Sequence, residues 1–399
     1  MASIEVKDTI ESSGFPLAFR VDRTSATVEA TGSLDADHPG TIKVEARALG
    51  GHQKEAVVSE GIAGAVWRLV SDEGPMLQGT DLAPFPLGFM NAGLLADVLG
   101  RMATLANSRG LQLGDVTAEL ATDYAFEGSF FKGTGKGSAK APQFKFAVPS
   151  GFDAGRFEVL IHDALAASPL VAMHSQALHN TFALYVNGKR RVLRFLPESA
   201  QLEVVDPLKS WSGVPSPGRE EALRPFTTKS LIKQLPQTVA AAAGIAPPTL
   251  SGESAKIDIM VRGRSSLNDS ITQSEVWLAR PVGSHFSLYS SESVDDRQTA
   301  SAPRGLSLAM AGIAFCLMTQ VLRYVGYHNM KVRALRIVQL SPIDWAIDGR
   351  AMALPLDTHV FVHADESDQT IERLLVMAAN TCYLHAALGA ALESRFTLA

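Results

Sequence analysis

The segment LSLAMAGIAFCLMTQVL, residues 306–322, decides the fold of this chain. Its 17 residues carry no charge, and Arg304 and Arg323 bracket it. This is the short end of what can span a membrane, but three polar residues lower its hydrophobicity and no second segment of the kind accompanies it. We therefore expect a helix that is buried on all sides in a protein core, and no membrane partner.

The first half of the chain contains a related segment. Shifting the sequence by 219 residues lays residues 64–97 over 283–316 without a gap, and ten positions are identical. Chance would give about two or three identities at ordinary residue usage. We interpret the chain as a tandem duplication, with copy 1 at 1–190, a linker with an extra helix at 191–250, and copy 2 at 251–399.

Each copy shows the same order of predicted elements. Strands with alternating apolar residues come first, and a long apolar helix follows at about 86–107 and 305–326. Further strands come next, and a second helix closes each copy near 153–172 and 368–393. Because strands and helices do not alternate one for one, we predict an α+β fold. The two copies would place antiparallel sheets around the long buried helices and form an intrachain pseudo-dimer.

Composition limits the classes of function. The 399-residue chain has a net charge of −5 and a sequence pI near 6.1, which gives no reason to expect nucleic acid as a partner. Cys316 and Cys382 are its only cysteines, too few for a disulfide framework, and residues 1–14 lack the basic and apolar regions of a signal peptide. We therefore expect a cytoplasmic protein. The cysteine and histidine spacings match no standard zinc signature, so we expect no metal and no cofactor.

Short motifs surround the two cysteines. Gly312 stands four residues before Cys316 in LAMAGIAFC, and Cys382 follows the alanines of AANTCY. With the element order and the loop SDEGPMLQGTDLAPFP at 71–86, these motifs resemble the OsmC/Ohr family of thiol peroxidases. The resemblance covers roughly 40–185 and 255–395. Family members are normally short chains that form intertwined dimers, which implies that the two copies pack in the same way.

The resemblance also implies a reaction. In the family the first cysteine attacks the peroxide, the second forms a disulfide with it, and an Arg and a Glu lie beside the first. Carried onto this chain, Cys316 attacks, Cys382 resolves, and a dithiol reductant regenerates the pair. Glu292 is the candidate acid; the candidate cations are Arg262, Arg264 and Arg47, among which the sequence does not choose.

The chain departs from the family pattern at several positions. Asp97 and Ser168 of copy 1 stand where copy 2 has its cysteines, so we expect no thiol chemistry in copy 1. In copy 2, Leu306 stands where the family has its Glu, and Tyr383 stands where the family has a proline. At most one of the two sites is therefore peroxidatic.

Other residues are candidates for lining a substrate pocket. Arg47 and Glu73 of copy 1 match Arg262 and Glu292 of copy 2, either as a structural ion pair or as the charged shell of the pockets. His385 lies three residues after Cys382, on the same helix face. The candidate substrate-binding residues are Asp97, Ser168, Arg47, Glu73, Tyr383 and His385.

Two functions from different classes stay open on the sequence. The first is a cysteine-based hydroperoxide reductase that acts on an organic hydroperoxide. The second is a divergent protein that binds a hydrophobic small molecule, with non-redox catalysis around Asp97. For Asp97 the simpler interpretation is an ion pair with Arg101, one helical turn later. A homo-oligomer is compatible with either function.

Overall fold

The computed structural model describes residues 8–21, 40–61, 64–130, 132–202, 204–208, 211, 231–236, 255–268, 270–292 and 300–399. Its helices are α1 (Ile10–Ser13), α2 (Pro86–Ser108), α3 (Ala154–Ala167), α4 (Pro169–Ser175), α5 (Gly305–Tyr327), α6 (Asp368–Thr381) and α7 (Tyr383–Leu388), with a 3-10 turn at Pro75–Leu77. Its strands are β1 (Ala18–Arg20), β2 (Ile42–Ala48), β3 (Lys54–Glu60), β4 (Val66–Ser71), β5 (Val116–Gly128), β6 (Lys136–Ala139), β7 (Gln143–Ala147), β8 (Thr181–Val186), β9 (Lys189–Arg191), β10 (Ile232–Gln234), β11 (Ala255–Asn268), β12 (Ile271–Arg280), β13 (Val282–Ser291), β14 (Val332–Ser341), β15 (Ile343–Trp345), β16 (Ala351–Ala353), β17 (Asp357–Ala364) and β18 (Arg395–Leu398).

The strands form two large sheets, and both sheets mix strands from the two ends of the chain. The first sheet has the order β1-β4-β3-β2-β14-β17-β8-β9, and the second has the order β10-β13-β12-β11-β5-β7-β18, with β6 beside β5. The two halves meet along the antiparallel pairs β2–β14 and β11–β5. Each sheet therefore contains strands from both halves of the chain, joined by one of these two pairs. The predicted boundaries at 190 and 251 stay predictions.

Helices α2 and α5 lie between the sheets. Helix α5 packs on β2, β3 and β14 of the first sheet, α2 packs on β11 and β12 of the second, and the two helices pack on each other. Apolar side chains on all faces of both helices suit a position with protein on every side. The molecule is thus built from the layers sheet, helix, helix, sheet, and its α+β class confirms the prediction.

Two glycines let α2 and α5 approach closely. A Cβ atom on Gly93 would lie 2.5 Å from the carbonyl oxygen of Gly305, and one on Gly312 would lie 2.8 Å from that of Pro86. Any larger residue would push the helices apart at these points. The close approach holds the middles of the two helices, where Asp97 and Cys316 lie, inside the core.

Helix α5 is also long and apolar enough to cross a membrane by length and composition. Its most apolar 18-residue window has a mean hydropathy of 1.8, and every residue of that window is buried inside the protein. A core helix of a folded protein meets the same criteria, as the sequence predicts for this segment.

Most predicted helices are confirmed, with two corrections. The long helices α2 and α5 match the predicted 86–107 and 305–326 almost residue for residue. Each second helix, however, is broken in two, at Ser168 and at Cys382, where the backbone becomes extended. The sequence also favours an extra helix in the linker, around 227–242, and this prediction is wrong at Ile232–Gln234, which pair with β13 as an edge strand; residues 227–230 and 237–242 lie outside the described residues.

Candidate active site at the paired cysteines

Cys316 lies in the middle of α5, on the wall of a cavity of about 100 Å³. The spacing of Cys316, Thr319, Gln320 and Arg323 places all four side chains on one face of the helix, and all four line the cavity. The opposite walls are apolar and include Leu87, Ile257, Ile259, Leu278 and Pro281. The thiol therefore stands between an apolar chamber and a short polar stripe along its own helix.

The polar side of the cavity borders a buried ion pair, of which Glu73 lines the cavity and Lys54 does not. The ammonium of Lys54, on β3, lies 3.3 Å from Oε1 of Glu73 and donates to the Thr319 hydroxyl at 2.9 Å and to the carbonyl of His52 at 2.8 Å. The Thr319 hydroxyl in turn donates to Glu73. Because all three donors of Lys54 have acceptors, its fully buried charge is tolerated.

Arg323 adds a second positive charge to the cavity wall. Its Nη1 donates to Oε1 of Gln320 at 3.1 Å, and its guanidinium lies 3.8 Å from the ring centroid of Phe130. The Tyr383 hydroxyl also interacts with Arg323, while burial raises the pKa of Tyr383 to about 12. Arg323 and Glu73 thus line the polar side of the Cys316 cavity, and Lys54, which does not line it, is paired with Glu73.

Cys382 lies at the break between α6 and α7, where the backbone is extended. Both cysteines are free and buried. Burial raises the pKa of the Cys382 thiol well above its usual value, and the neighbouring Cys316 thiol raises it further. Near pH 7 Cys382 is therefore a protonated thiol.

His385 lies on the other side of Cys382. Its Nδ1 is 3.2 Å from the Cys382 sulfur, and burial lowers the pKa of His385 to about 4, so the imidazole is neutral near pH 7. His385 also lines a second cavity, of about 310 Å³, together with Leu178, His179, Phe182, Asn380 and Ala386. Cys382 is thus in contact with one residue from each of two cavities.

Asp97 and Ser168 form a second hydrogen-bonded pair. The Ser168 hydroxyl donates to Oδ2 of Asp97 at 2.5 Å, and Arg101 donates from Nε to Oδ1 at 3.3 Å. Asp97 is on α2, as Cys316 is on α5. Ser168 is at the break between α3 and α4, as Cys382 is at the break between α6 and α7. The structure therefore pairs these two residues in the same way as it pairs the cysteines.

Glu292 belongs to the region of Asp97. Its Oε1 accepts from the backbone N–H of Gly305 at 2.5 Å, and its Oε2 lies 3.5 Å from Nε of Arg304. Burial raises the pKa of Glu292, and the nearby charge of Asp97 raises it further against the opposing effect of Arg304. Glu292 is therefore not beside Cys316; the glutamate that lines the thiol cavity is Glu73.

The arginines predicted as activators lie elsewhere. Arg262 pairs with Asp123 on the neighbouring strand at 2.8 Å, and Arg47 pairs with Glu55 at 2.6 Å. Arg264 pairs with Glu275 at 3.0 Å. None of the three lines the Cys316 cavity.

Sequence reasoning does not identify the charged residues near Cys316. In the sequence Arg323 only ends an apolar segment, although its spacing of seven from Cys316 places it on the same helix face. Lys54 has no such signal, because its partners Glu73 and Thr319 are 19 and 265 residues away in the sequence.

A serine–histidine–aspartate cluster lies apart from these sites, on β17 and on the segment that follows β9. His359 Nε2 lies 3.0 Å from Asp357 and 3.4 Å from the Ser199 hydroxyl, which itself donates to Asp357 at 2.7 Å. In a hydrolytic triad the acid and the serine contact opposite ring nitrogens, whereas here they share one. This cluster satisfies buried polar groups. Among the described residues no group of three or more His, Cys, Asp and Glu side chains is arranged to hold a metal ion.

Comparisons with known proteins give one likeness to report. No protein-family model and no curated protein matches the chain. Among solved structures, the chain is similar to an OsmC-like hydroperoxide resistance protein from Jannaschia sp. CCS1, with 22% identity and a TM-score of 0.22, over 32% of this chain and 84% of that one.

Proposed function

We propose that this protein is a cysteine-based hydroperoxide reductase with one working site, in which Cys316 attacks and Cys382 resolves. The observation that carries the proposal is that the two buried thiols are close enough for Cys316 to raise the pKa of Cys382, and that Cys316 lines an apolar cavity with polar side chains on its own helix. Two buried thiols that served only as core filler would need neither arrangement.

The reaction follows from this arrangement. The sulfur of Cys316 attacks the outer oxygen of the hydroperoxide, the O–O bond breaks, and the products are an alcohol and a Cys316 sulfenic acid. The sulfur of Cys382 then attacks the sulfur of Cys316, and the hydroxyl leaves with the Cys382 proton as water. A dithiol reductant finally reduces the Cys316–Cys382 disulfide and is itself oxidised to a disulfide.

Arg323 and Lys54 supply the electrostatics of the first step. Negative charge develops on the attacking sulfur and on the departing alkoxide, and a cation held in a site of low polarity stabilises that charge more strongly than it would in water. Glu73 holds Lys54 in place through the pair at 3.3 Å. In this proposal Arg323 and Lys54 replace the arginine that the family pattern has on an early strand. Glu73 replaces the family's glutamate, at whose position this chain has Leu306.

The cavity favours a slender organic substrate. Its volume of about 100 Å³ is smaller than the roughly 150 Å³ that an apolar cavity needs to enclose benzene. It suits the peroxide group and the first carbons of an alkyl chain, lying against Ile257, Ile259 and Leu278. We therefore infer a preference for linear alkyl hydroperoxides over hydrogen peroxide and over bulky aromatic ones.

We further infer that the chain arose by duplication of an OsmC-like unit. Three observations support this: the ten identities at a shift of 219, the Asp97–Ser168 pair opposite the cysteine pair, and the reciprocal contacts of Gly93 and Gly312. Glu73 and Glu292, equivalent at that shift, each lie beside the long helix of the other half. A cytoplasmic location, where a dithiol reductant is available, agrees with the proposed reaction.

The test is a thiol titration of the native protein before and after one equivalent of a linear alkyl hydroperoxide, with mass analysis of the peptides. We expect rapid loss of both thiols and a Cys316–Cys382 bridge that dithiothreitol reverses. The variant Cys382→Ser should stop at a Cys316 sulfenic acid that dimedone traps, which assigns the order of attack.

The contrary result is equally specific. If both thiols stay reduced in the folded protein and react only in denaturant, the cysteines are core residues and the proposal is wrong. Saturable binding of a long-chain alcohol to the cavity, without thiol oxidation, would then favour the alternative of a hydrophobic ligand-binding protein.

A further inference from the structure

The second cavity, beside His385, has a feature that the peroxide step does not use. His385 is nearly fully buried and its Nε2 has no hydrogen-bond partner, although its side chain forms part of the cavity wall. A buried polar atom without a partner is costly, and native proteins rarely keep one without a reason. The cavity volume of about 310 Å³ is at the lower end of what small-molecule sites occupy, about 300–1,000 Å³.

The contact between Cys382 and His385 leaves one ring nitrogen of the imidazole free. We assign the S–H of Cys382 as the donor to Nδ1 of His385, 3.2 Å away. The neutral ring then carries its own proton on Nε2. The wall of the second cavity therefore holds an N–H donor that no atom of the described residues accepts.

Resting on the proposed peroxidase function, we propose that this second cavity is the reductant site. A small dithiol enters there, Nε2–H of His385 donates to its thiolate, and the thiolate attacks Cys382 rather than Cys316. The hydroperoxide and the reductant thus reach the same sulfur pair from different cavities.

The positions of the residues support this assignment. Cys316 and Tyr383 line the first cavity, whereas His385 and Ala386 line the second, so Cys382 lies between the two. Thiol–disulfide exchange proceeds best when the attacking, central and leaving sulfurs are aligned. Attack on Cys382 from the second cavity lets Cys316 leave toward the first cavity, where Arg323 lies.

The step balances as follows. One thiolate of the reductant bonds to the sulfur of Cys382, the protein disulfide breaks, and Cys316 leaves as a thiolate. The second thiol of the reductant gives its proton to Cys316, and its sulfur displaces Cys382 from the mixed disulfide. Cys382 takes up the proton that the first reductant thiol released, so the products are an oxidised cyclic disulfide and two protein thiols.

The experiment separates the two half-reactions. The rate of oxidation is followed with one equivalent of alkyl hydroperoxide, and the rate of reduction of the oxidised protein is followed with dithiothreitol. Asn380→Trp adds bulk at the exposed mouth of the second cavity, and Leu278→Trp adds it in the first. The matched control is Arg373→Trp. Arg373 is also exposed on α6, but it lies about two turns before Asn380 and so away from the mouth of the cavity.

We expect Asn380→Trp to slow reduction by about tenfold or more and to leave oxidation unchanged, because thiol–disulfide exchange depends on access to the attacked sulfur. Leu278→Trp should show the opposite pattern, and Arg373→Trp should change neither rate. Equal reduction rates in Asn380→Trp and the unsubstituted protein would overturn the inference. If no disulfide forms at all, the peroxidase proposal fails and this inference fails with it.

Two further measurements act on the chemistry itself. 2-Mercaptoethanol, which cannot complete the second displacement, followed by a rapid acid quench, should leave its adduct on Cys382; an adduct on Cys316 would overturn the inference. His385→Phe keeps the ring but removes the donor, so the KM for dithiothreitol in the reduction step should rise, whereas His385→Gln, which retains an N–H, should restore part of it. A loss of kcat with unchanged KM in both variants would indicate a structural role only.

Discussion

Two sites of the molecule have the same construction and different contents. In one, Cys316 on α5 is the neighbour of Cys382 at the break between α6 and α7; in the other, Asp97 on α2 accepts a hydrogen bond from Ser168 at the break between α3 and α4. Cys316 of the first pair lines a cavity whose wall includes the cation Arg323. The second is enclosed by charged side chains, and none of the cavities described above includes it. The comparison indicates that the scaffold positions a pair of side chains and that the surrounding residues decide whether the pair can react.

The glutamates Glu73 and Glu292 show how the surroundings differ. Beside Cys316, the helix carries Thr319, whose hydroxyl donates to Glu73 and keeps it within the polar stripe. At the matching position of α2 stands Gly100, and Glu292 occupies the freed space so closely that a Cβ atom there would lie 2.3 Å from its Cγ. Glu292 therefore fills the room that a substrate would need.

The largest expected effects differ in kind between the two sites: substitution in the cysteine pair should lower the peroxidase rate, and substitution in the Asp97–Ser168 pair should lower stability. Cys316→Ser should lower the peroxidase rate by about a thousandfold or more, equivalent to about 4 kcal/mol of activation free energy, with little change in stability. Asp97→Ala should leave the rate of Cys316 oxidation near normal. It should lower the free energy of unfolding by about 3 kcal/mol, because Ser168 and the largely buried Arg101 lose their acceptor.

Peroxide-consumption assays and urea unfolding measure the two quantities on the same preparations. Asp97→Asn serves as the matched control, since it keeps an acceptor for Ser168 but removes the charge that faces Arg101. A comparable loss of peroxidase rate in Asp97→Ala would mean that the second site takes part in the reaction, and the division of roles drawn here would be wrong.

The next effect concerns Arg323, two turns after Cys316 on α5, and Arg101, one turn after Asp97 on α2. Arg323→Met should slow the oxidation of Cys316 by about 10- to 100-fold, because a cation beside developing negative charge in a buried site is worth a few kcal/mol. Arg101→Met should leave that rate unchanged. Stopped-flow measurement of thiol loss with an alkyl hydroperoxide reads both variants directly.

Lys54 provides the counter-check. If Arg323→Met has no effect and Lys54→Met slows the reaction, the lysine is the activating cation and Arg323 only closes the cavity. If neither substitution slows the reaction, the electrostatic part of the proposed mechanism is wrong.

The sequence alone predicted the elements that local pattern determines. The uncharged run at 306–322 and its counterpart at 86–107 appear as α5 and α2 with nearly the expected ends. At Ser168 a proline follows, which was a readable signal for the break between α3 and α4. Cys382 is followed by Tyr383, and the equivalent break there had no local signal.

What the sequence could not predict depends on contacts distant along the chain. Strand β2 pairs with β14, nearly 300 residues later, and no local pattern specifies that pairing. For the same reason the sequence does not predict which charges surround Cys316: Arg262 is engaged by Asp123, the cavity wall holds Arg323, and Lys54 from β3 pairs with Glu73 of that wall. The candidate nucleophiles were readable from residue type, whereas the charged groups around them were not.

The smallest expected effect tests the crossing of α2 and α5, where the two halves are most alike. Gly93 and Gly312 are equivalent at the shift of 219, but the space around them is not equal. A Cβ atom on Gly93 would meet Gly305 O at 2.5 Å and Ala309 Cβ at 2.7 Å, whereas on Gly312 the nearest atoms are Pro86 O at 2.8 Å and Phe89 Cβ at 3.0 Å.

Each substitution by alanine should stabilise its helix by about 1 kcal/mol through helix propensity. Overpacking should destabilise the protein by about 1–3 kcal/mol, which cancels or exceeds that stabilisation. Gly93→Ala should therefore be destabilising by about 1–2 kcal/mol, and Gly312→Ala by about 1 kcal/mol or less, as judged from the midpoints of urea unfolding. Since Gly312 is four residues from Cys316, a normal peroxidase rate in Gly312→Ala would show that the thiol side tolerates a small helix shift. Equal destabilisation by both substitutions would instead indicate that the crossing relaxes symmetrically, and the difference between the two sites would then lie in their side chains alone.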